Sequence, residues 1–513
     1  MSRSRVLVVW LCLGVALASL AVLGYVYAPN RLTGGAAAAV PEADPAVVHE
    51  FCTKCHAYPS PDSFPRSAWK KELDQAYRFA YEAGLARSAP PMANVLRYFE
   101  EHSPDELPGL PFLTDSPRWP VQFDATTHRL PGKEQRSIVT SAKLVALTGT
   151  ARSELLVCDA RTHEILLKNL ADPKPEWKVI GKGSYPARAE VVDLDGDGIR
   201  DVIVSNMGIH FPSDDRLGSV VWLRGHRDGT FEPVTLLEGV GRVVDVKAVD
   251  VDGNGKLDLM VAVFGWRQTG ELILLRNRTT DWAHPVFEPE VLDRRHGAIQ
   301  IEVADLNGDG KPDFVALFGQ EHEQVVMFLN DGHGGFTSET VYAAPHPAYG
   351  SSGIQLVDMD GDGDLDILYV NGDTLDPPPL LKPYHGVQWL ENIGGGKAFV
   401  PHRIGYLYGA MAAIAADFDG DGKMDVAAVT YLPVDGFPDR ADRQLPAVVL
   451  YQQTAPGEFT PHVLARGSCD HLTCAAGVLP GDRLPSLIVG EGCFLNQTRT
   501  LPAVTVWRNR GTR

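Results

Sequence analysis

Asp358-Met-Asp-Gly-Asp-Gly-Asp-Leu-Asp366 places a carboxylate at every second position of nine residues, with Gly361 and Gly363 between them. A loop that curls on its glycines can turn these oxygens toward one centre. Hard divalent cations such as calcium take six to eight oxygen ligands in a tolerant geometry, so the stretch predicts a calcium loop. Position 7 would add a backbone carbonyl. An EF-hand would carry Glu at position 12, but position 12 here is Tyr369. The loop therefore runs into a strand and not into a helix.

Four more stretches follow the same grammar. The first has Asp193, Asp195, Asp197 and Asp201, with Ile199 at position 7. The second has Asp250, Asp252, Asn254 and Asp258, with Lys256 at position 7. The third has Asp305, Asn307, Asp309 and Asp313, with Lys311 there. The last has Asp417, Asp419, Asp421 and Asp425, with Lys423 there. In the copy at Asp358, the ligand positions are Asp358, Asp360, Asp362 and Asp366, and position 7 is Asp364. Position 12 is apolar in the other four as well: Val204, Val261, Ala316 and Ala428.

Each loop is followed by a short apolar run and preceded by another, such as Val243 to Val249. A third run follows a variable loop, as in Val220-Val-Trp-Leu223 or Val387-Gln-Trp-Leu390. A fourth opens near Phe231, Phe287, Phe336, Phe399 or Phe459. Four strands per unit, repeated every 53 to 59 residues, predict a β-propeller. Glu154-Leu-Leu-Val-Cys158 and Ser486-Leu-Ile-Val-Gly490 align with the strand after the loop and extend the series to seven blades. The last blade lacks a fourth strand after Val504-Thr-Val-Trp507. Val121 to Leu130 reads as an orphan strand able to supply it, which would leave no open edge in the ring.

Cys52-Thr-Lys-Cys55-His56 is a Cys-x-x-Cys-His motif, which in an exported chain reads as covalent c-type haem attachment. Two thiols join the haem vinyl groups and the adjacent imidazole binds the iron. The other readings of the motif are a disulfide and a zinc half-site, although no second ligand pair follows nearby. Helices are expected over 45–56, 69–83 and 94–101. Pro90-Pro91-Met92 precedes the last of these, and Met92 is the first candidate for the sixth ligand, with His102 and His49 as rivals. The segment resembles a shortened c-type cytochrome.

Val6 to Ala28 is apolar and uncharged and follows Arg3 and Arg5, which predicts an anchor with the N-terminus in the cytoplasm. Cleavage near Ala28 is the alternative. The expected organisation is an anchor or signal over 1–28, a tether over 29–45, a haem domain over 46–103, a proline-rich linker over 104–120 and the propeller over 121–513. The soluble parts are expected on the extracytoplasmic, periplasmic side of the membrane. The five acidic loops hold nineteen aspartates against four basic residues, which accounts for −15 of the net charge of −18. The acidity therefore belongs to metal loops and says little about partners. No basic cluster argues for nucleic acid.

The acidic loops with their following apolar strands resemble FG-GAP/VCBS repeats, as in integrin α-subunit propellers. That resemblance implies calcium on the lower side of a propeller. Lys382-Pro-Tyr-His-Gly386 and the Cys-x-x-Cys-His head further resemble a bacterial group of exported repeat proteins with a cytochrome-like N-terminal region. Long loops at 206–218, 371–386, 431–446 and 491–502 gather on the opposite face, with His296, Tyr408, His471 and His385 near it. Cys469 and Cys474 are spaced for a small disulfide, with Cys493 a competing partner, and Cys158 reads as a buried thiol.

Three functions fit these features. The first is an anchored haem protein that passes electrons to a redox partner, with the propeller binding a protein or carbohydrate ligand. The second is a propeller oxidoreductase or carbohydrate-active enzyme with haem as electron acceptor. The third is integrin-like adhesion. No Ser-His-Asp set, paired glutamates or nucleotide loop stands out, so no catalytic residue is assigned.

Overall fold

The structure, a computed structural model, describes residues 40–114, 119, 121–131, 136–149, 153–375, 379–492 and 502–512. The apolar stretch 6–28 and Cys493 lie outside these residues. Among the described residues no helix is long and apolar enough to cross a membrane.

Seven four-stranded antiparallel sheets form the ring. Their first strands are Val139–Val145, Pro186–Val192, Val243–Val249, Ala298–Ala304, Ser351–Val357, Ala410–Ala416 and His471–Val478, which pack side by side around the axis. Every first strand carries a register shift between its first and third residues. A bulge at a constant place adds twist at the same point of each blade, which suits radial repetition. The second strands are buried along their whole length in blades one to six, such as Asp313–Phe318 and Asp366–Asn371. Both of their faces meet neighbouring sheets, so they read as continuous apolar runs. The core is divided between blades: Met260, Leu272 and Leu274 of blade three pack with Ile301, Phe314 and Phe328 of blade four.

Blade seven is composite. Its third strand, Val504–Thr512, pairs on one side with Pro485–Glu491 and on the other with Val121–His128. Phe123 and Trp507 join the cluster around Phe418 of blade six. Arg510 pairs with Asp124 at 2.7 Å across the junction.

Among the described residues, three α-helices precede the ring: α1 Pro45–Cys52, α2 Trp69–Glu82 and α3 Met92–His102. Asp44 caps α1 by accepting from Ala46 N at 2.8 Å. Trp69 stacks on Phe99 at 3.9 Å, and Phe64 meets Trp69 edge-on at 5.3 Å. The expected helix over 45–56 is too long. Lys54 N turns to Phe51 O, a three-residue step, so Cys55 and His56 lie in the turn beyond α1.

The head is docked on the ring. Tyr384 Oη donates to Ser63 O at 3.3 Å, and Arg267 lies over the Phe79 ring at 3.2 Å. Ala348 and Leu380 pack into the head's own core. The segment read as a linker is seated as well: Leu110 N donates to Tyr408 Oη at 2.6 Å, and Phe112 lies under Arg466.

Candidate functional site

The acidic loops join the first and second strands of blades two to six. Their glycines take the left-handed region, for example Gly361 at φ 81° and Gly363 at φ 97°, where any other L-residue would be strained. The first aspartate of each loop accepts from the N–H of the sixth residue, as Gly198 N to Asp193 at 2.9 Å and Gly363 N to Asp358 at 3.1 Å. The fifth residue's side chain accepts from the N–H of the seventh, as Ile199 N to Asp197 and Lys311 N to Asp309. These bonds hold the curl of each loop through its own backbone.

Three loops bring three carboxylates within 4.8 Å of one another: Asp193, Asp195 and Asp197; Asp358, Asp360 and Asp366; Asp417, Asp419 and Asp425. Among the described residues, the loops at Asp250 and Asp305 form no such triplet. Asn254 and Asn307 stand there in place of a carboxylate. Burial pushes Asp366 up to about 6 and Asp425 up to about 7, with like charge from Asp360 and Asp419 adding to it. Basic side chains pair with some of the candidate ligands. Arg224 pairs with Asp195 at 2.6 Å, Lys311 with Asp309 at 3.2 Å, and Lys423 with Asp421. Asp364 does not add to its cluster, because its carboxylate accepts from Gly395 N at 3.0 Å.

The ninth position does something that its acidity alone does not reveal. Asp201, Asp258, Asp313, Asp366 and Asp425 are all buried. One oxygen of each accepts from the N–H of the loop's second residue: Leu194, Val251, Leu306, Met359 or Phe418. The other accepts from the end of the blade's third strand: Gly225, Asn277, Asn330, Asn392 or Gln453. Each of these aspartates is thus a structural staple in addition to a candidate ligand. Each of the two end blades keeps one half of the staple and loses the acidic loop. Glu154 accepts from Leu147 N and Thr148 N in blade one, and Ser486 Oγ accepts from Asn509 N in blade seven.

A second device was missed from sequence. Asn330, Gln453 and Asn509 donate side-chain amide bonds to Val251 O, Met359 O and Phe418 O of the preceding blade's loop. Its signal was present, since an Asn or Gln recurs just after the third apolar run.

In the head, Cys52 is half-buried, Cys55 is exposed, and both are free thiols. Burial pushes the Cys52 thiol up to about 11. Cys52 and Met92 pack against the same core, with Tyr58 and Tyr77. Tyr77 Oη donates to Pro90 O at 2.7 Å and so fixes the chain just before Met92. His56 Nδ1 faces Ala57 O at 2.7 Å. A carbonyl only accepts, so Nδ1 is the donor in this bond, and the neutral tautomer it selects has its lone pair on Nε2. The rivals are engaged at the surface: His102 pairs with Glu42 at 3.3 Å, and the His49 ring meets Tyr58 at a 33° tilt, 4.9 Å between centroids.

The residues expected on the opposite face do not converge. His296 pairs with Glu321 at 3.0 Å, His471 Nδ1 with Glu491 at 2.9 Å, and Tyr408 holds Leu110. His385 is fully buried beneath the head. Cys469 and Cys474 are not bonded to each other. Cys469 is buried against Leu445 O and Pro446 O, while Cys474 lies in the first strand of blade seven in a different cluster. Cys158 is a fully buried strand thiol, as read.

Residues 193–261 and 305–369 match the FG-GAP-like repeat family. Cartilage acidic protein 1 of Mus musculus is 24% identical over 262 residues, a match spanning 46% of this chain and 37% of that protein's length. A streptogramin B lyase structure aligns with a TM-score of 0.47 at 10% identity, covering 77% of this chain and 100% of that one. An ancestral GH74 enzyme aligns with a TM-score of 0.49 at 10% identity, covering 76% and 52%. The chain carries FG-GAP-like repeats within a seven-bladed propeller.

Proposed function

We propose that the chain is an exported haem protein, anchored through its N-terminal apolar segment, in which a calcium-stabilised propeller presents a single-electron carrier to a partner protein. One observation carries the reading: Cys52, Cys55, His56 and Met92 belong to one small helical head, and Cys52 and Met92 share its core. The donor set fits a c-type haem. It comprises two free thiols, an imidazole whose Nε2 is left available by the bond at Nδ1, and a half-buried thioether. Cys52 and Cys55 would hold the porphyrin edge, and His56 and Met92 the iron. When bound, the haem supplies one-electron transfer, and a His–Met pair raises its potential.

The surrounding residues orient and shield this set. Tyr77 positions the Pro90–Met92 turn, and the Trp69–Phe99 stack makes the floor rigid. The propeller's part is that of a platform. Its acidic loops would bind calcium on one side, and the head covers blades three to five on the other. The uncovered remainder of that face is the proposed site for a protein or carbohydrate ligand.

The test is expression of the exported chain with a c-type maturation system. Covalent haem staining and a reduced-minus-oxidised spectrum are expected, with staining lost in Cys52→Ala with Cys55→Ala. Met92→Ala should remove any band due to Fe–S(Met) bonding. A wild-type chain without covalent haem would overturn the reading. An unchanged Met92→Ala spectrum would move the ligand to His102 or His49.

A further inference from the structure

Beneath the head, between blades four and five, several buried polar groups have no hydrogen-bond partner among the described residues. His385 is fully buried, and neither of its ring nitrogens makes a hydrogen bond. His346 Nδ1 and Arg403 Nη1 are buried and unpartnered as well. These residues come from three separate segments: the connection from blade four to five, the loop before the third strand of blade five, and that blade's fourth strand.

They meet on an aromatic frame. Tyr349 and Tyr384 stack with ring centroids 5.7 Å apart. His346 stands edge-on to both, at 5.4 and 4.5 Å, and His385 is edge-on to Tyr384 at 5.5 Å. Arg403 Nη2 donates to Tyr349 Oη at 2.7 Å, its guanidinium lies over the Tyr406 ring at 4.6 Å, and Nη1 has no hydrogen-bond partner among the described residues. Lys382 is buried, with its Nζ donating to Ala348 O at 3.2 Å and lying 5.8 Å from the Phe64 ring of the head.

The charge balance is unusual for a buried seat. Among the described residues neither Lys382 nor Arg403 forms an ion pair. Buried charges are ordinarily paired, and buried donors ordinarily satisfied. Of the nearby acids, Asp62 is exposed on the head, while Glu72 of the head, whose charge acts on Tyr384, and Asp373 are half-buried. Glu323 is buried, and burial pushes its carboxyl up to about 8, so it is neutral at pH 7. Buried Lys382 and half-buried Arg403, neither with an ion pair among the described residues, disfavour a metal ion. They suit a group that brings negative charge and accepts several N–H donors at once.

We propose that this seat binds an oxyanion, a carboxylate or a sulfate- or phosphate-like group, held by Lys382, Arg403, His346 and His385 beneath the helical head. Two sources share that chemistry. One is a free solute. The other is a propionate of a haem on the head, which rests on the function proposed above.

Titration calorimetry with sodium sulfate and with sodium acetate, at ionic strength held constant with chloride, tests the seat. It is run on the wild-type chain and on Cys52→Ala with Cys55→Ala, which cannot attach haem. Saturable one-to-one binding to both chains supports a free-solute site. Binding to the cysteine variant alone supports occupation by the haem's own carboxylates. If covalent staining finds no haem on the wild type, the two chains are equivalent and either one decides. In the binding chain, Lys382→Gln and Arg403→Gln should each weaken affinity at least tenfold. Arg403 is half-exposed, so its variant remains informative if Lys382→Gln does not fold. Absence of saturable binding in both chains, or affinity unchanged in the variants, overturns the proposal.

Discussion

The side-chain amide of Gln453 donates to the carbonyl of Met359 at 3.1 Å, and so ties the third strand of blade six to the acidic loop of blade five. Met359 in turn donates its N–H to Asp366 at 2.9 Å, and Asp366 also accepts from Asn392 N at 2.7 Å. One buried carboxylate therefore holds a loop, its own blade and, through Met359, the next blade. The same chain of bonds recurs from Asn330 to Val251 and from Asn509 to Phe418. The acidic loops thus join blades even before their metal chemistry is considered.

The staple has a measurable signature. Asp366→Ala leaves the buried N–H groups of Met359 and Asn392 without acceptors, a cost of about 2–6 kcal/mol for two such donors. The loss should appear in urea unfolding with calcium and with chelator alike. Asp362→Ala, at an exposed position of the same loop, should matter only in calcium. If the Asp366→Ala loss disappears in chelator, the residue acts only as a metal ligand.

Calcium should stabilise the folded chain by mass action, because the loop geometry is absent from the unfolded one. At free calcium a hundredfold above its dissociation constant, one independent site adds about 2.7 kcal/mol. The loop at Asp358 should bind most tightly, since Arg224, Lys311 and Lys423 each hold a carboxylate in other loops. Asp360→Ala with Asp362→Ala should remove about one bound ion and leave any haem spectrum unchanged. Identical melting curves in calcium and in chelator would reduce the loops to plain turns.

Ring closure depends on Val121–His128. Its removal would expose the hydrogen-bonding edge of Val504–Thr512 and uncover Trp507. A chain beginning at Pro131 should aggregate or lose several degrees in melting temperature. One that melts like the parent would mean that the blade is stable with three strands.

Glu323 should make stability fall toward alkaline pH. Burial raises its folded-state value to about 8 from an ordinary 4.5, so the folded chain binds this proton more tightly than the unfolded one. Its contribution is complete below pH 4.5 and is lost as pH rises through 8. Between pH 6 and pH 9, urea midpoints of the wild type should fall more than those of Glu323→Gln. Equal falls in the two proteins would assign the pH dependence to other groups.

The ring was legible because its signals are local and repeated. A carboxylate at every second position, an apolar run, and a Phe opening the fourth strand recur at one spacing, and even the worn copies at Glu154 and Ser486 keep the register. The docking of the head was not legible. It depends on contacts such as Tyr384 to Ser63 and Leu110 to Tyr408, whose partners are 321 and 298 positions apart and belong to no repeat. The role of Asp366 was half legible. Its spacing marks it as acidic and inward, but only the fold reveals that backbone N–H groups meet both of its oxygens. The helix expected over 45–56 overruns the observed Pro45–Cys52 because propensity alone does not show the turn that begins at Thr53.

The pairing of Arg510 with Asp124 spans 386 positions of sequence. During synthesis, the strand at Val121 emerges early and must wait, unpaired, until almost the whole ring has been made. Each intermediate blade can assemble from neighbours in sequence, but the last seam joins the oldest strand to the youngest. Contacts this distant in sequence slow folding. Until the seam forms, two sheet edges stay open to strands from other molecules. The head and the seated residues Leu110 and Phe112 precede that waiting strand in sequence, so their docking on blades three to six would bring it near the gap.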